Sequence, residues 1–137
     1  MAEKEKYVSR QQARAADAWE VVQRIKKTKN AEEFGKQAKR MPVRILTSGL
    51  GPSLSFLAAK KYAPELQASL KDWILKCAWA QREKETSKET KDLMQRIISG
   101  DAQFLRLATD ECMAYLQWII RFAEAEGLLK DEGQPVA

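Results

Sequence analysis

The residues best suited to chemistry in this chain are Lys and Arg side chains, which gather before residue 62. A Lys or Arg that pairs with a phosphate displaces condensed counterions, and proteins bind nucleic-acid backbones in this way without reading bases. No base-reading motif or aromatic platform for single strands accompanies these charges. We therefore predict a nucleic-acid interface formed by Arg24, Lys26, Lys27, Lys29, Lys36, Lys39, Arg40, Arg44, Lys60 and Lys61.

The distribution of charge supports this prediction more than the net charge of +5 does. Residues 10–61 carry 12 basic and 4 acidic side chains, a net charge of +8, whereas residues 62–137 carry 10 and 13, a net charge of −3. Such a division favours nucleic-acid binding, or head-to-tail association of copies with opposite charges facing. Lys-rich helices that are merely soluble would give the same count, so the charge alone does not decide.

The sequence contains few residues or motifs that are suited to catalysis. The chain has no His, the usual general base near neutral pH, and no Gly-rich phosphate loop or Cys-x-x-Cys pair. Asp110 and Glu111 are adjacent on a predicted helix and point about 100° apart, so they do not form a metal clamp. We expect Asp110 to be exposed and Glu111 to be ion-paired. Cys77 and Cys112 are expected to be reduced and buried. The sequence predicts no enzyme, no metal and no cofactor.

Proline, glycine and helical periodicity predict the elements that position the basic residues. Pro42, Pro52 and Pro64 each precede an apolar periodic run and are expected to open helices. Asp101 is expected to cap the last helix. That helix is apolar nearly all round, so it is expected to lie at the centre of the bundle, and the alternative is that a partner covers it. The predicted fold is all-α: a compact single-domain bundle of six to seven helices over residues 1–137, with mobile tails at 1–6 and 128–137. The predicted helices are 7–28, 31–40, 42–48, 52–61, 64–84, 88–99 and 102–126.

One pair of apolar residues is predicted to face away from the core. On the long helix 64–84, Leu75 and Trp79 project opposite the buried stripe and are neighbours at i, i+4. Trp is enriched at the energetic centres of interfaces, so these two residues are candidates for a subunit interface. The alternative is that the Glu83–Ser87 turn or the C-terminal tail of the same chain covers them. No apolar run reaches the roughly 20 residues of a membrane span and no secretory signal is present, so a cytoplasmic location is expected.

Three stretches are similar to those of a known family. They are QQARAADAWEVV at 11–22, RMPVRILTSGLGPSLSFLAAK at 40–60 and SGDAQFLRLATDECMAYLQWIIRFAEAEG at 99–127. The chain resembles the small helical subunit of the type III-B (Cmr) CRISPR RNA-guided effector complexes. The shared pattern includes a proline before an Ile-Leu pair, a Ser-Gly-Leu turn and an aromatic-aliphatic pair ahead of a Lys. Cys112 departs from the pattern, where Ala is expected.

The resemblance implies a role that composition does not. Subunits of this family stack in a few copies as a minor filament beside the guide RNA and its paired target, and they have no nuclease activity. The implied partners are other Cmr subunits, copies of this chain, guide RNA and target RNA, with no membrane and no small-molecule substrate. The family motifs do not assign individual RNA contacts, so the prediction for the ten basic residues rests on their charge alone. The alternative function is a protein-interaction adaptor whose basic half binds an acidic protein partner.

Overall fold

The computed structural model describes residues 8–77, 79–80 and 92–129, and the regular structure in these ranges is entirely helical. This confirms the all-α prediction. α1 begins with a capping box, in which the Ser9 hydroxyl accepts from the Gln12 amide and the Gln12 side chain accepts from the Ser9 amide. The helices in the described part are α1 (Arg10–Ile25), α2 (Ala31–Ser48), α3 (Leu50–Lys60), α4 (Pro64–Lys76), α5 (Leu93–Ser99) and α6 (Ala102–Ala125).

The last helix, α6, lies at the centre of the bundle, as its broad apolar surface predicts. It packs against α1, α2, α3 and α4. Ala108, Cys112 and Leu116 on its inner side are fully buried. Asp101 caps the helix as predicted, because its carboxylate accepts a hydrogen bond from the Phe104 amide at 2.8 Å. A capped and buried α6 therefore gives the other helices a common packing surface.

α1 runs parallel to α6, since contacts between the two helices advance together along both. Arg14 near the start of α1 meets Glu111, and Gln23 near its end donates to Glu126 at 2.9 Å. Lys26, just beyond α1, also pairs with Glu126 at 3.1 Å. The C-terminal ends of the first and last helices therefore lie side by side.

Glu111 joins three helices through a buried carboxylate, which confirms that it is ion-paired. It is 3% exposed and accepts hydrogen bonds from Arg14 at 2.6 and 2.9 Å and from the Trp73 indole of α4 at 2.8 Å. Burial alone would raise the pKa of Glu111. The hydrogen bonds from Arg14 and Trp73 and the charges of Arg14 and Arg10 outweigh burial and hold this pKa below its ordinary value. Asp110, its neighbour, is exposed as predicted.

Pro42 does not open a helix, and this prediction is wrong. α2 continues from Ala31 to Ser48 with Pro42 inside it. A proline in a helix interior costs about 3 kcal/mol. However, the buried stripe continues past the proline, from Phe34 before it through Met41 to Ile45 after it. Burying a side chain of this size stabilises the fold by about 2 kcal/mol, so tertiary packing holds α2 together. The helix ends instead at Gly49, whose φ of 96° favours glycine.

The other two prolines lie in first turns of helices, where a missing N–H costs little. Pro64 is the first residue of α4, as predicted. Pro52 falls two residues after the start of α3 at Leu50, so it does not open the helix as predicted. Instead of three short helices, residues 31–60 form one long helix and one short helix joined at Gly49.

α4 ends at Lys76 and not at the predicted Lys84, because Cys77 adopts an extended backbone. Leu75 and Trp79 are therefore not neighbours on one continuous helix, and that part of the prediction is wrong. Both side chains are half-buried and pack against the core. The Trp79 ring meets the Phe104 ring edge-on at 5.6 Å.

Several predicted boundaries fall on residues 81–91, which lie outside the described residues. These are the end of the long helix, the Glu83–Ser87 turn, the Ser87 cap and the start of the helix predicted at 88. The helix predicted at 88–99 begins later than predicted, at Leu93, because Asp92 has an extended backbone, and it ends at Ser99 as α5. Leu128 and Leu129, which open the predicted C-terminal tail, are half-buried and pack against Gly35 of α2. Residues 1–7 and 130–137 also lie outside the described residues.

Both cysteines are free thiols, as predicted. Cys112 is fully buried in α6, and burial raises its pKa to about 12. Cys77 is only half-buried, so the prediction that it is buried is wrong. Partial burial together with the nearby charge of Glu111 raises its pKa to about 11. Because the thiolate is the reactive form, neither side chain is a nucleophile near neutral pH.

Candidate nucleic-acid interface

The predicted basic residues all fall within the described part of the chain, and nine of the ten are exposed. They occupy the end of α1, the loop that follows it, the solvent side of α2 and the end of α3. Charged side chains on these elements stay in water because each helix already turns its apolar stripe toward α6. Arg44 is the exception, since it is only half-exposed.

Four of the predicted residues come together in one open cleft along the first half of α2. Its volume is about 390 Å³, and its basic residues are Lys29, Lys36, Lys39 and Arg40. The other six predicted residues, all within the described ranges, lie outside the lining of this cleft. The structure therefore brings part of the predicted set together and leaves the rest as separate exposed charges.

The cleft is not uniformly basic. Glu32 and Glu33 also line it, and Leu128 and Leu129 form its apolar wall. Glu33 accepts a hydrogen bond from Gln37 at 2.8 Å. Four cations against two carboxylates leave a positive cleft that suits an anionic ligand, with acidic groups that would oppose anions in one part of it.

The basic surface continues along α2 beyond the cleft. Lys36, Arg40 and Arg44 follow one another at i, i+4, so each charge lies about 6 Å farther along the helix axis. Burial, together with the charge of Arg40, lowers the pKa of the Arg44 guanidinium from its ordinary value. The line of cations therefore runs about 12 Å and ends at a partly buried arginine.

Arg44 lies against α3 and is half-exposed, so it is less open to solvent than the other nine basic residues. Its guanidinium lies over the Phe56 ring, 4.5 Å from the ring centroid, and donates to the Gln37 side chain at 2.7 Å. Lys60 lies 6.0 Å from the same ring centroid. Phe56 was missed from the sequence, although its i, i+4 spacing to Lys60 was a usable signal. Gln37 was also missed, and no local pattern predicts a buried glutamine at that position.

The basic residues at the end of α1 differ in their partners. Lys26 is paired with Glu126 at 3.1 Å, which neutralises part of its charge. Arg24 and Lys27 are exposed, and so is Lys61, which ends α3 in a left-handed conformation with φ 59°. Arg24, Lys27 and Lys61 do not line the cleft, and their exposed charges add to the positive field of this half of the chain.

Comparison with known families decides which class of protein this arrangement belongs to. The family model of CRISPR-associated protein (Cas_Cmr5) matches residues 10–126, from the start of α1 to the residue after α6. The chain belongs to the Cmr5 family. It is a structural subunit of the type III-B CRISPR effector, the Cmr complex, and associates with other Cmr subunits. A search of curated proteins found no match.

One of the three stretches that carried the resemblance, residues 40–60, lies where the basic surface is built. The stretch 40–60 includes the end of α2, the Gly49 junction and the whole of α3, which ends at Lys60. It thereby holds Arg44, Phe56 and Lys60 in one short segment. None of the described helices of this Cmr5 subunit is both long enough and apolar enough to pass through a lipid bilayer.

Proposed function

We propose that this Cmr subunit is non-catalytic, that copies of it stack as a minor filament, and that its basic surface holds the guide and target RNA backbone. The observation that carries the RNA contact is the cleft with four cations on α2. Family membership supplies the complex in which that contact would be made.

Backbone binding suits the chemistry of this surface. Lys29, Lys36 and Lys39 are exposed ammonium groups on flexible stems, which act as point charges toward phosphate oxygens. Such contacts carry no sequence information. A subunit that must accept any guide needs this kind of contact, because guide sequences differ while the phosphate backbone stays the same.

The experiment for RNA contact removes charge from the cleft and follows the salt dependence of assembly on guide RNA. Lys36→Ala/Lys39→Ala should lower the slope of log affinity against log salt by about 1.4, since each phosphate contact to a single strand contributes about 0.7. Arg106→Ala/Arg121→Ala removes two exposed α6 cations and is the charge-matched control. An unchanged slope in a folded Lys36→Ala/Lys39→Ala variant would contradict the RNA contact and favour an adaptor that binds an acidic protein.

Self-stacking draws support from the division of charge and from exposed apolar residues. A +8 segment and a −3 segment in one chain allow copies to meet head-to-tail, and such contacts form a line unless they close into a ring. Val43 and Leu46 on the outer side of α2 are 66% and 77% exposed. We propose that a second copy covers this pair. We propose the exposed parts of Leu75 and Trp79 as a second contact with a neighbouring subunit.

Copy number per assembled complex tests stacking. Val43→Ser/Leu46→Ser should lower the number of copies measured by native mass spectrometry and leave the melting temperature of the free subunit unchanged. Val8→Ser alters an exposed apolar residue on another part of the surface, 57% exposed, and is the control. A full set of copies in the α2 variant would remove this pair from the interface.

A further inference from the structure

Phe56 on α3 combines features that simple core packing does not require. It is 37% exposed, although three side chains lie against it. The Arg44 guanidinium lies 4.5 Å from its ring centroid, the Lys60 ammonium lies 6.0 Å away, and the Tyr62 ring meets it edge-on at 6.0 Å. An aromatic ring flanked by cations thus remains open to solvent at the end of the α2 line of charges.

A hydrogen bond to the buried Gln37 side chain fixes the orientation of the Arg44 guanidinium. Arg44 donates to the side-chain oxygen of Gln37, and the Gln37 amide nitrogen donates to Glu33 at 2.8 Å. Gln37 is only 1% exposed, so its amide is fixed by the core. A guanidinium with a fixed orientation loses less rotamer entropy when a ligand stacks on it than a solvated side chain would.

Aromatic rings and guanidinium planes are the surfaces on which proteins stack unpaired bases. Here both surfaces lie together, next to the exposed Lys60 and at the Arg44 end of the α2 line of cations. We propose that Arg44 and Phe56 form a stacking site for one unpaired nucleobase of an RNA strand whose backbone follows α2. This inference rests on the proposed RNA contact and adds a contact to a base. A site of this kind tolerates any base, because every base has a π-face.

The competing explanation is that Arg44 and Phe56 only join α2 to α3. Two substitutions separate the explanations. Phe56→Leu keeps an apolar side chain and removes the ring, and Arg44→Lys keeps the charge and removes the planar group. Phe56→Trp keeps an aromatic face and serves as the conservative control. Thermal melting of each variant establishes that it is folded before RNA is added.

The probe is a single-stranded RNA that carries 2-aminopurine, whose fluorescence is quenched on stacking. It is titrated with the full chain at several salt concentrations from about 50 to about 200 mM. Phe56→Leu should weaken binding about tenfold and abolish the quenching, with the slope of log affinity against log salt unchanged. Lys36→Ala should do the reverse, lowering the slope by about 0.7 and keeping the quenching. Fully paired RNA should bind Phe56→Leu and the native chain equally.

Three outcomes would overturn the stacking site: native quenching in folded Phe56→Leu, equal losses on single-stranded and paired RNA, or failure of Phe56→Trp to quench. If Phe56→Leu does not fold, Arg44→Lys and Phe56→Trp decide by the same readout. An unchanged slope in Lys36→Ala would instead count against the proposed phosphate contact. Absence of RNA binding by the native chain would refute both proposals.

Discussion

The buried pair of Arg14 and Glu111 gives the sharpest test of how this bundle is held together. Arg14→Met removes the hydrogen bonds of 2.6 and 2.9 Å that the carboxylate accepts. Glu111 is 3% exposed. Among the residues that the structure describes, it would keep as partners only the Trp73 indole at 2.8 Å and Arg10 at 3.8 Å. Breaking a buried ion pair costs about 3–5 kcal/mol. Arg14 is itself 14% exposed, so we expect the lower end, about 3 kcal/mol.

Urea denaturation at neutral pH measures this loss, and a loss of about 3 kcal/mol should lower the melting temperature by about 12 °C. Arg14→Met/Glu111→Met should recover most of it, because the unpaired charge is gone and only the Trp73 N–H lacks its acceptor, at about 1 kcal/mol. The control is Arg106→Met, which breaks an exposed pair with Asp110 and should cost less than about 0.5 kcal/mol. A loss in Arg14→Met no larger than in the control would refute the reasoning.

Three further predictions concern single residues. Glu111 has a pKa below its ordinary value of 4.5, so the stability that it contributes is complete above that pH and is lost as pH falls through the folded-state pKa. Glu111→Gln should flatten this acid limb of the melting-temperature profile. Trp79→Ala should cost about 2 kcal/mol of unfolding free energy through the lost contact with Phe104, less than full burial would give; native stability with fewer copies per complex would instead support an interface role. Gly35→Ala would place a methyl group 2.9 Å from the Leu128 carbonyl, so protease sensitivity near the C-terminus should rise, and an unchanged digestion pattern would contradict that packing.

Local signals predicted the fold wherever one residue decides the backbone around it. Asp101 accepts a hydrogen bond from the Phe104 amide, as its position before the predicted helix indicates, and Pro64 begins α4. Pro42 is also a proline, but it lies inside α2 and does not begin a helix, because apolar residues before and after it are buried on the same side of α2. That surface belongs to the assembled bundle, so the sequence around Pro42 could not reveal it. The end of α4 at Cys77 likewise follows from a backbone conformation that no local signal marked.

The candidate site divides in the same way. Exposure of most of the basic residues follows from their positions on amphipathic helices and was predictable. The ion-pair partners were not predictable, because Lys26 meets Glu126 and Arg14 meets Glu111 across 100 and 97 residues of sequence. Arg44 meets a ring on the next helix only because the chain turns sharply at Gly49. Charge could thus be located from the sequence, but its neutralisation and its aromatic partner required the structure.

The parallel contact between the first and last helices has a consequence for how the protein is made. A ribosome adds Glu111 97 residues after Arg14, which at about 5–20 residues per second leaves α1 without its partner for about 5–20 s. α1 has 16 residues, just above the length of about 12–15 residues below which even an Ala-rich isolated helix is marginal in water, so most of its stability comes from packing. The apolar side chains of α1, among them Val22 and Ile25, therefore stay uncovered in the nascent chain until the last helix has been made. The order of synthesis, and not the strength of any one helix, sets when the bundle can close.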